Sequence, residues 1–288
     1  MLGRQRDGSV VCTACGSLVG VNDAQCYTCG RRNPGLWGFS PLLRRFGNDL
    51  GFVTFVIGAC VVLYMATLLL SPGAFRGRGI MSLLSPDTNV LLRFGASGRL
   101  PVFIVGHWWT VLSASWLHGS VLHIVFNMYV LNQLAPNAAE AYGPARMVII
   151  YTVAGICGFL LTSAAAYFLI RLPLPAALRG ANVTIGASAS IFGLVGAMVY
   201  YGRRGSSAVT AIYVRWAIMM GIFGLIVPGI DNYAHAGGFA GGYLAAQWLD
   251  PFKPERIDHI VMALVCLLAS ALAVIASVFY YTDFLGLR

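Results

Sequence analysis

The chain has 288 residues, of which 58% are hydrophobic and 10% charged, and its mean hydropathy is +0.75. This composition excludes a soluble globular domain and predicts an all-α polytopic membrane protein. The formal net charge of +9 comes from arginines beside the apolar stretches and near the N-terminus. We interpret it as a topology signal facing the lipid bilayer and expect no nucleic-acid partner.

Residues 1–35 form a polar module with two Cys-x-x-Cys pairs, Cys12 with Cys15 and Cys26 with Cys29. Four thiolates satisfy a tetrahedral zinc ion, and a segment this short needs the metal to fold. The sequence therefore predicts a zinc-ribbon-like module with a structural zinc ion, and a cytosolic partner is one role that such a module can have. The alternative is two disulfides or a redox pair, which a reducing cytosol disfavours.

Residues 36–50, with Pro41 and the basic pair Arg44-Arg45, are predicted to be a linker and membrane-surface anchor. Seven apolar stretches then predict seven membrane-spanning helices, at about 52–70, 120–134, 147–170, 186–201, 208–227, 233–249 and 260–281. The first six would form a core over 51–250, and the seventh would occupy 251–288 with a short tail. The apolar runs between the first two spans are too short to cross a bilayer, so we expect short helices at the outer headgroups there.

The distribution of basic residues predicts the orientation. With the N-terminus inside, twelve of the 19 Lys and Arg residues lie on the cytoplasmic side and seven on the other. Four of those seven lie in the long first loop, where they carry less topological weight: Arg76, Arg78, Arg93 and Arg99. We therefore expect a cytoplasmic N-terminus. The compact loops and the absence of a recognisable targeting segment favour a bacterial inner membrane.

Two spans combine hydroxyl, imidazole and glycine in an unusual way. Hydroxyls and glycines crowd the start of the fourth span around Ser188, and His235 lies near the start of the glycine-rich sixth span. An ionisable side chain inside a membrane is costly enough to indicate function. A serine beside a histidine is a nucleophile with its base. The spans contain no acid, and Asp231 precedes the sixth by a turn, so we predict a dyad that opens to the outer side.

Small residues allow the two spans to approach closely, and Gly186, Gly238 and Gly242 provide such positions. Phe192 lies one turn below Ser188, where its ring can stack on the imidazole.

On the second span, His123 and Asn127 are four residues apart and share a face. They are candidate donors to an oxyanion, together with the backbone N–H of Ser188. The alternative is that His123 and Asn127 form a hydrogen-bonded pair that only stabilises the bundle.

The pattern resembles that of the rhomboid intramembrane serine proteases over about residues 50–250, and it rests on the motifs His118-x4-His123-x3-Asn127, Gly186-Ala187-Ser188 and Ala234-His235-x2-Gly238-x3-Gly242. The resemblance implies a six-helix core that cleaves transmembrane segments of other proteins near their outer end. Ser188 would be the nucleophile and His235 the base, without a catalytic cofactor. His123 and Asn127 match the oxyanion positions, and His118 matches a residue that braces the long loop.

Two positions depart from the family pattern. Thr110 follows Trp109 where the family has arginine, which affects the anchoring of the first loop, and Phe192 stands where tyrosine is usual. Two other function classes remain open. A catalytically inactive rhomboid-like protein would bind membrane clients, although such relatives are expected to lose the serine or the histidine. A small-solute transporter would show internal repeats, and none is convincing here.

Overall fold

The computed structural model describes residues 4–44, 49–74, 79, 82–173, 175 and 178–284. Residues 45–48 of the predicted linker and residues 285–288 of the predicted tail lie outside the described part. The same holds for four of the basic residues used to predict the orientation, Arg45, Arg76, Arg78 and Arg288.

Seven long helices confirm the predicted all-helical architecture. We label them in chain order as α1 (Phe52–Leu69), α2 (Val121–Tyr142), α3 (Pro144–Phe168), α4 (Ser188–Gly205), α5 (Ser207–Ile226), α6 (Asn232–Trp248) and α7 (Ile257–Phe284). The largest boundary error is in α2, which runs past the predicted end at residue 134 to Tyr142. Its last turns carry polar Asn137 and Glu140, so hydropathy detects only the apolar part of this helix.

Four of these helices, α1, α3, α5 and α7, are long and apolar enough to cross a membrane. The other three are α2, α4 and α6, which contain Asn127, Ser188 and His235 of the predicted site. Helix α4 is buried along most of its length, whereas Gly224 is the one buried residue of α5. Helix α4 therefore lies inside the bundle, and α5 lies at its edge.

The N-terminal module contains two short antiparallel strands, β1 (Ser9–Val11) and β2 (Leu18–Gly20), with Ser9 opposite Gly20. Its small core is formed by the buried side chains of Val10, Cys12, Val19, Val21 and Cys26. A core of this size supports the expectation that the module needs a further source of stability.

The connection between α1 and α2 is a series of short helical segments, at Thr88–Arg93, Leu100–Val105, Thr110–Ser113 and Ala114–Trp116. Trp109 anchors this loop to α7. Its Nε1 donates to Ser277 Oγ at 3.1 Å, and its ring centroid lies 5.4 Å from that of Tyr280. The seventh helix therefore holds the loop next to Thr110, the position where the family pattern has an arginine.

Helices α4 and α6 touch through their backbones. A Cβ atom added at Gly238 would lie 2.0 Å from the carbonyl oxygen of Ala189, and one added at Gly242 would lie 2.1 Å from that of Gly193. These distances are shorter than any real carbon–oxygen contact, so glycine is required at both positions. Because glycines lie at these contacts, the first turns of α4 and α6 can lie close together.

We predict that Gly242→Ala destabilises the bundle while Gly221→Ala does not. The first substitution forces α6 away from α4 and is expected to lower the free energy of unfolding by about 1–3 kcal/mol. Around Gly221 in α5 nothing lies within 4 Å of an added Cβ, so alanine there is expected to be neutral or to stabilise by up to about 1 kcal/mol. Thermal unfolding in detergent, followed by circular dichroism, compares the two; equal effects would contradict the packing described above.

Candidate active site

Ser188 and His235 lie together at the N-terminal ends of α4 and α6. The Oγ atom of Ser188 is 2.9 Å from Nε2 of His235, and both residues are half-buried. This distance is within the range for a hydroxyl nucleophile and its general base. The two groups that the sequence selects as nucleophile and base are thus in hydrogen-bond contact.

Asp231 positions the start of α6 rather than the imidazole ring. Its Oδ1 accepts hydrogen bonds from the backbone N–H of Ala234 at 3.0 Å and from the hydroxyl of Thr162 at 2.9 Å. The Nδ1 atom of His235 is buried and has no hydrogen-bond partner among the described residues. The arrangement is therefore a serine and a histidine without a carboxylate on the ring.

Sequence reasoning missed Thr162 and the capping role of Asp231. The capping could have been found, because an aspartate directly before the first turn of a helix is a common N-cap. Thr162 could not, because it lies 69 residues from Asp231 in the chain and no local pattern connects them.

The Phe192 ring stacks on the imidazole of His235, with centroids 4.1 Å apart and planes inclined by 13°. Such a contact restricts rotation of the imidazole and keeps Nε2 directed at Ser188. Stacking needs only the aromatic face, so it does not require the hydroxyl of the usual tyrosine.

Gly186 brings the turn before Ser188 against α2. Its φ of +125° is a left-handed conformation that favours glycine, and an added Cβ would lie 2.6 Å from Nε2 of His123. Its N–H donates to the carbonyl of Ala114 at 2.9 Å. The first helical residue is consequently Ser188, two residues after the predicted start of the span.

The remaining predicted residues lie along α2 and before it. Asn127 is buried and donates from Nδ2 to the carbonyl of His123 at 2.9 Å. This bond lies within α2, and since an amide nitrogen carries two hydrogens, it leaves one for a ligand. His118 is fully buried, and its ring meets that of His123 edge-on at 5.1 Å. The structure thus joins His118, His123 and Gly186 in one chain of contacts.

The four cysteines of the N-terminal module form a compact cluster whose sulfur atoms all lie within 4.8 Å of one another. Two of the separations are 3.8 Å, from Cys12 to Cys29, and 3.6 Å, from Cys15 to Cys26. A disulfide requires about 2.05 Å, whereas a tetrahedral zinc site with Zn–S bonds of about 2.3 Å has sulfur atoms about 3.8 Å apart. The cluster is therefore compatible with a metal ion and is not disulfide-bonded.

The environment of the cluster shifts the pKa values of its thiols in different directions. Burial raises the pKa of the Cys12 and Cys29 thiols. At Cys15 burial acts in the same direction, but hydrogen bonds with Ser17 outweigh it and lower the pKa to about 6. Thiols this close cannot all ionise unless a positive charge lies between them.

Comparison with known proteins shows the family to which the chain belongs. Residues 105–252, just over half of the chain, match the family model of the rhomboid domain. The chain is 33% identical over 192 residues to rhomboid protease GluP of Bacillus subtilis (strain 168), covering 65% of this chain and 35% of that protein. It is 31% identical over 170 residues to RHOMBOID-like protein 4 of Arabidopsis thaliana, covering 56% of this chain and 39% of that protein.

The family also contains a relative named as inactive. The chain is 28% identical over 192 residues to inactive RHOMBOID-like protein 8 of Arabidopsis thaliana, covering 65% of this chain and 51% of that protein. In these three comparisons the chain spans between about a third and a half of the length of its relatives. Taken with the apolar helices, the match shows that the chain is a multi-pass membrane protein that belongs to the rhomboid family.

Proposed function

We propose that the chain is an intramembrane serine protease that hydrolyses peptide bonds in or near the transmembrane segments of other membrane proteins. The observation that carries this proposal is the 2.9 Å contact between Ser188 Oγ and His235 Nε2. Similarity to a relative named as a rhomboid protease supports it.

The reaction follows from these two groups. Nε2 of His235 accepts the hydroxyl proton of Ser188 while Oγ attacks the substrate carbonyl. When the tetrahedral intermediate collapses, the peptide C–N bond breaks and the imidazolium gives its proton to the leaving amine. A water molecule then gives a proton to His235 as its oxygen attacks the acyl-enzyme carbonyl. The ester C–O bond breaks, the new carboxyl end leaves, and the imidazolium returns the proton to Oγ of Ser188. No catalytic cofactor is needed.

His123, Asn127 and the backbone N–H of Ser188 are the donors that we assign to the oxyanion. Asn127 retains an amide hydrogen beyond its bond to His123, and His123 contacts the turn before the nucleophile at Gly186. Donors fixed before the reaction stabilise the developing negative charge without reorganisation.

The substrate must reach Ser188 from the lipid and be partly unwound, because helical peptide bonds are shielded. Substrates with Gly, Pro or small polar residues near the cut therefore suit this site. Helix α5 is the least buried of the four apolar spans, so we propose that its displacement admits a transmembrane segment. We propose a cytoplasmic N-terminus, an active site that opens to the outer side, and the bacterial inner membrane as the location.

We also propose that the cysteine cluster formed by Cys12, Cys15, Cys26 and Cys29 holds a structural zinc ion. The metal would stabilise the module and supply no catalytic step, and the module would be available to a cytosolic partner.

A second candidate function is binding of membrane clients without cleavage, which the similarity to an inactive relative suggests. The Ser188–His235 contact argues for the protease, because a client-binding protein has no need to keep both groups in hydrogen-bond contact.

We predict that Ser188→Ala and His235→Ala each abolish labelling by a fluorophosphonate probe and cleavage of a transmembrane reporter, with a loss of at least about 10³-fold. Ser190→Ala is the matched serine control, because Ser190 faces Ser115 at 3.3 Å and not the imidazole. His259→Ala is the matched histidine control outside the site. Wild-type protein that is neither labelled nor active, in a lipid environment where a related protease works, would favour client binding.

Removal of an oxyanion donor should affect turnover more than substrate binding. For Asn127→Ala we expect kcat to fall by about 10²–10³-fold with KM nearly unchanged. Asn137→Ala is a close control, because Asn137 makes the same kind of bond within α2, donating to Gln133 at 3.1 Å, but lies away from the site. A similar loss in both variants would mean that the amide acts only on helix stability.

The cysteine cluster should contain one metal ion per chain, measured by elemental analysis of the purified protein. We expect Cys12→Ser and Cys26→Ser to lose it, while Cys157→Ser, at an isolated cysteine in α3, retains it. Metal should also be lost as the pH falls, because protons compete for the thiolates. Retention of metal in both ligand variants would contradict the assignment.

A further inference from the structure

We propose that the N-terminal module is joined to the membrane core through one buried ion pair, Arg31 with Glu255, and that metal binding by the module thereby stabilises the core. This inference rests on the proposed metal site. It adds a role for the module, which the protease reaction itself does not require.

The ion pair connects two distant parts of the chain. Nη1 of Arg31 donates to Oε2 of Glu255 at 3.0 Å, and the two side chains are only 2% and 1% exposed. Charges buried to this degree are costly unless each is matched by a partner. Removing either side chain would therefore leave the other as an unpaired buried charge.

On the module side, the second cysteine pair fixes Arg31. Arg31 lies two residues after Cys29, and its carbonyl accepts the N–H of Cys26 at 2.8 Å. The turn is closed by Gly30, whose N–H donates to the carbonyl of Cys26 at 2.9 Å. A metal held by Cys26 and Cys29 would fix this turn and therefore the backbone position from which the Arg31 side chain extends.

On the core side, Glu255 caps the start of α3. Its Oε1 accepts the backbone N–H groups of Ala145 at 2.8 Å and Arg146 at 3.0 Å. These amides have no partner within the helix, and a negative charge is favourable at this end. An added Cβ at Gly143 would lie 2.6 Å from Oε1, so the carboxylate lies directly against the helix start.

Arg146, in the first turn of α3, binds the chain segment that precedes Glu255. Its Nη1 donates to the carbonyls of Leu249, Asp250 and Lys253, at 3.0, 2.7 and 2.8 Å. The connection between α6 and α7 is thereby held against α3, the helix that packs on both α4 and α6. Glu255 is the point where this network meets the module.

The contact beside the ion pair is not closely packed. A cleft of about 410 Å³ opens between residues 30–32 of the module and residues 254–258 of the core. The ion pair bridges the two sides of this cleft. Loss of metal would release the turn that carries Arg31, leave Glu255 without its counter-ion and loosen the first turn of α3.

The test compares hydrogen exchange of the first-turn amides of α3 in the full-length protein in nanodiscs, with and without a zinc chelator. Chelation of the wild-type protein is expected to speed exchange at Ala145 and Arg146 by at least about tenfold. Arg31→Met should do the same in the presence of metal, and chelation should then add little further. The matched control is Arg32→Met, which removes an exposed neighbouring arginine and should leave exchange unchanged.

Unfolding of the core, followed by circular dichroism at helical wavelengths, gives a second measurement, since the described module is largely non-helical. We expect chelation and Arg31→Met each to lower Tm by about 5–10 °C, without additive effect. Additive effects, or unchanged exchange after complete removal of the metal, would overturn the linkage. Absence of metal from the purified protein would overturn the metal site and the linkage together. Elemental analysis therefore distinguishes this outcome from failure of the linkage alone, in which metal is present but its removal has no effect on the core.

Discussion

The structure depends on the backbone contact between α4 and α6. A serine hydroxyl and an imidazole are short, so they can meet only if the two helix starts are closer than side-chain packing allows. Carbonyls of Ala189 and Gly193 occupy the space where side chains of Gly238 and Gly242 would otherwise lie. The same residues that remove bulk from the interface therefore define the distance between nucleophile and base, and packing and chemistry cannot be varied independently.

Much of this could be predicted from the sequence, because the signals are local. Apolar stretches define the spans, and the glycines around Ser188 and His235 indicate that the two helices approach closely. The two side chains could be paired because each is unusual in a membrane and both fall at helix ends on the same side. The ends of α2 and α4 were less predictable. Hydropathy ignores the polar last turns of α2, and the conformation at Gly186 (φ of +125°) is visible only in the structure.

The contacts that escaped prediction join residues far apart in the chain. Trp109 and Ser277 are 168 positions apart, and Arg31 and Glu255 are 224 apart. From the neighbouring sequence alone, the tryptophan is interpreted as an interfacial residue, the serine as an ordinary helix residue, and the arginine and glutamate as surface charges. Only the arrangement of the helices shows that Ser277 anchors the first loop and that Glu255 caps α3 while binding the module.

The anchoring of Trp109 on α7 has a consequence for biosynthesis. The ribosome delivers the chain from the N-terminus, so the loop after α1 is made long before Ser277. All residues of the proposed catalytic pair precede α7 in the chain, and they can meet while the loop still lacks this support. The ion pair of Arg31 likewise cannot form until Glu255 has been made. The nascent protein thus passes through a stage in which the proposed catalytic pair can be assembled while the loop after α1 and the N-terminal module are not yet held. Glu255 then provides the contact for the module, and α7 provides the contact for the loop.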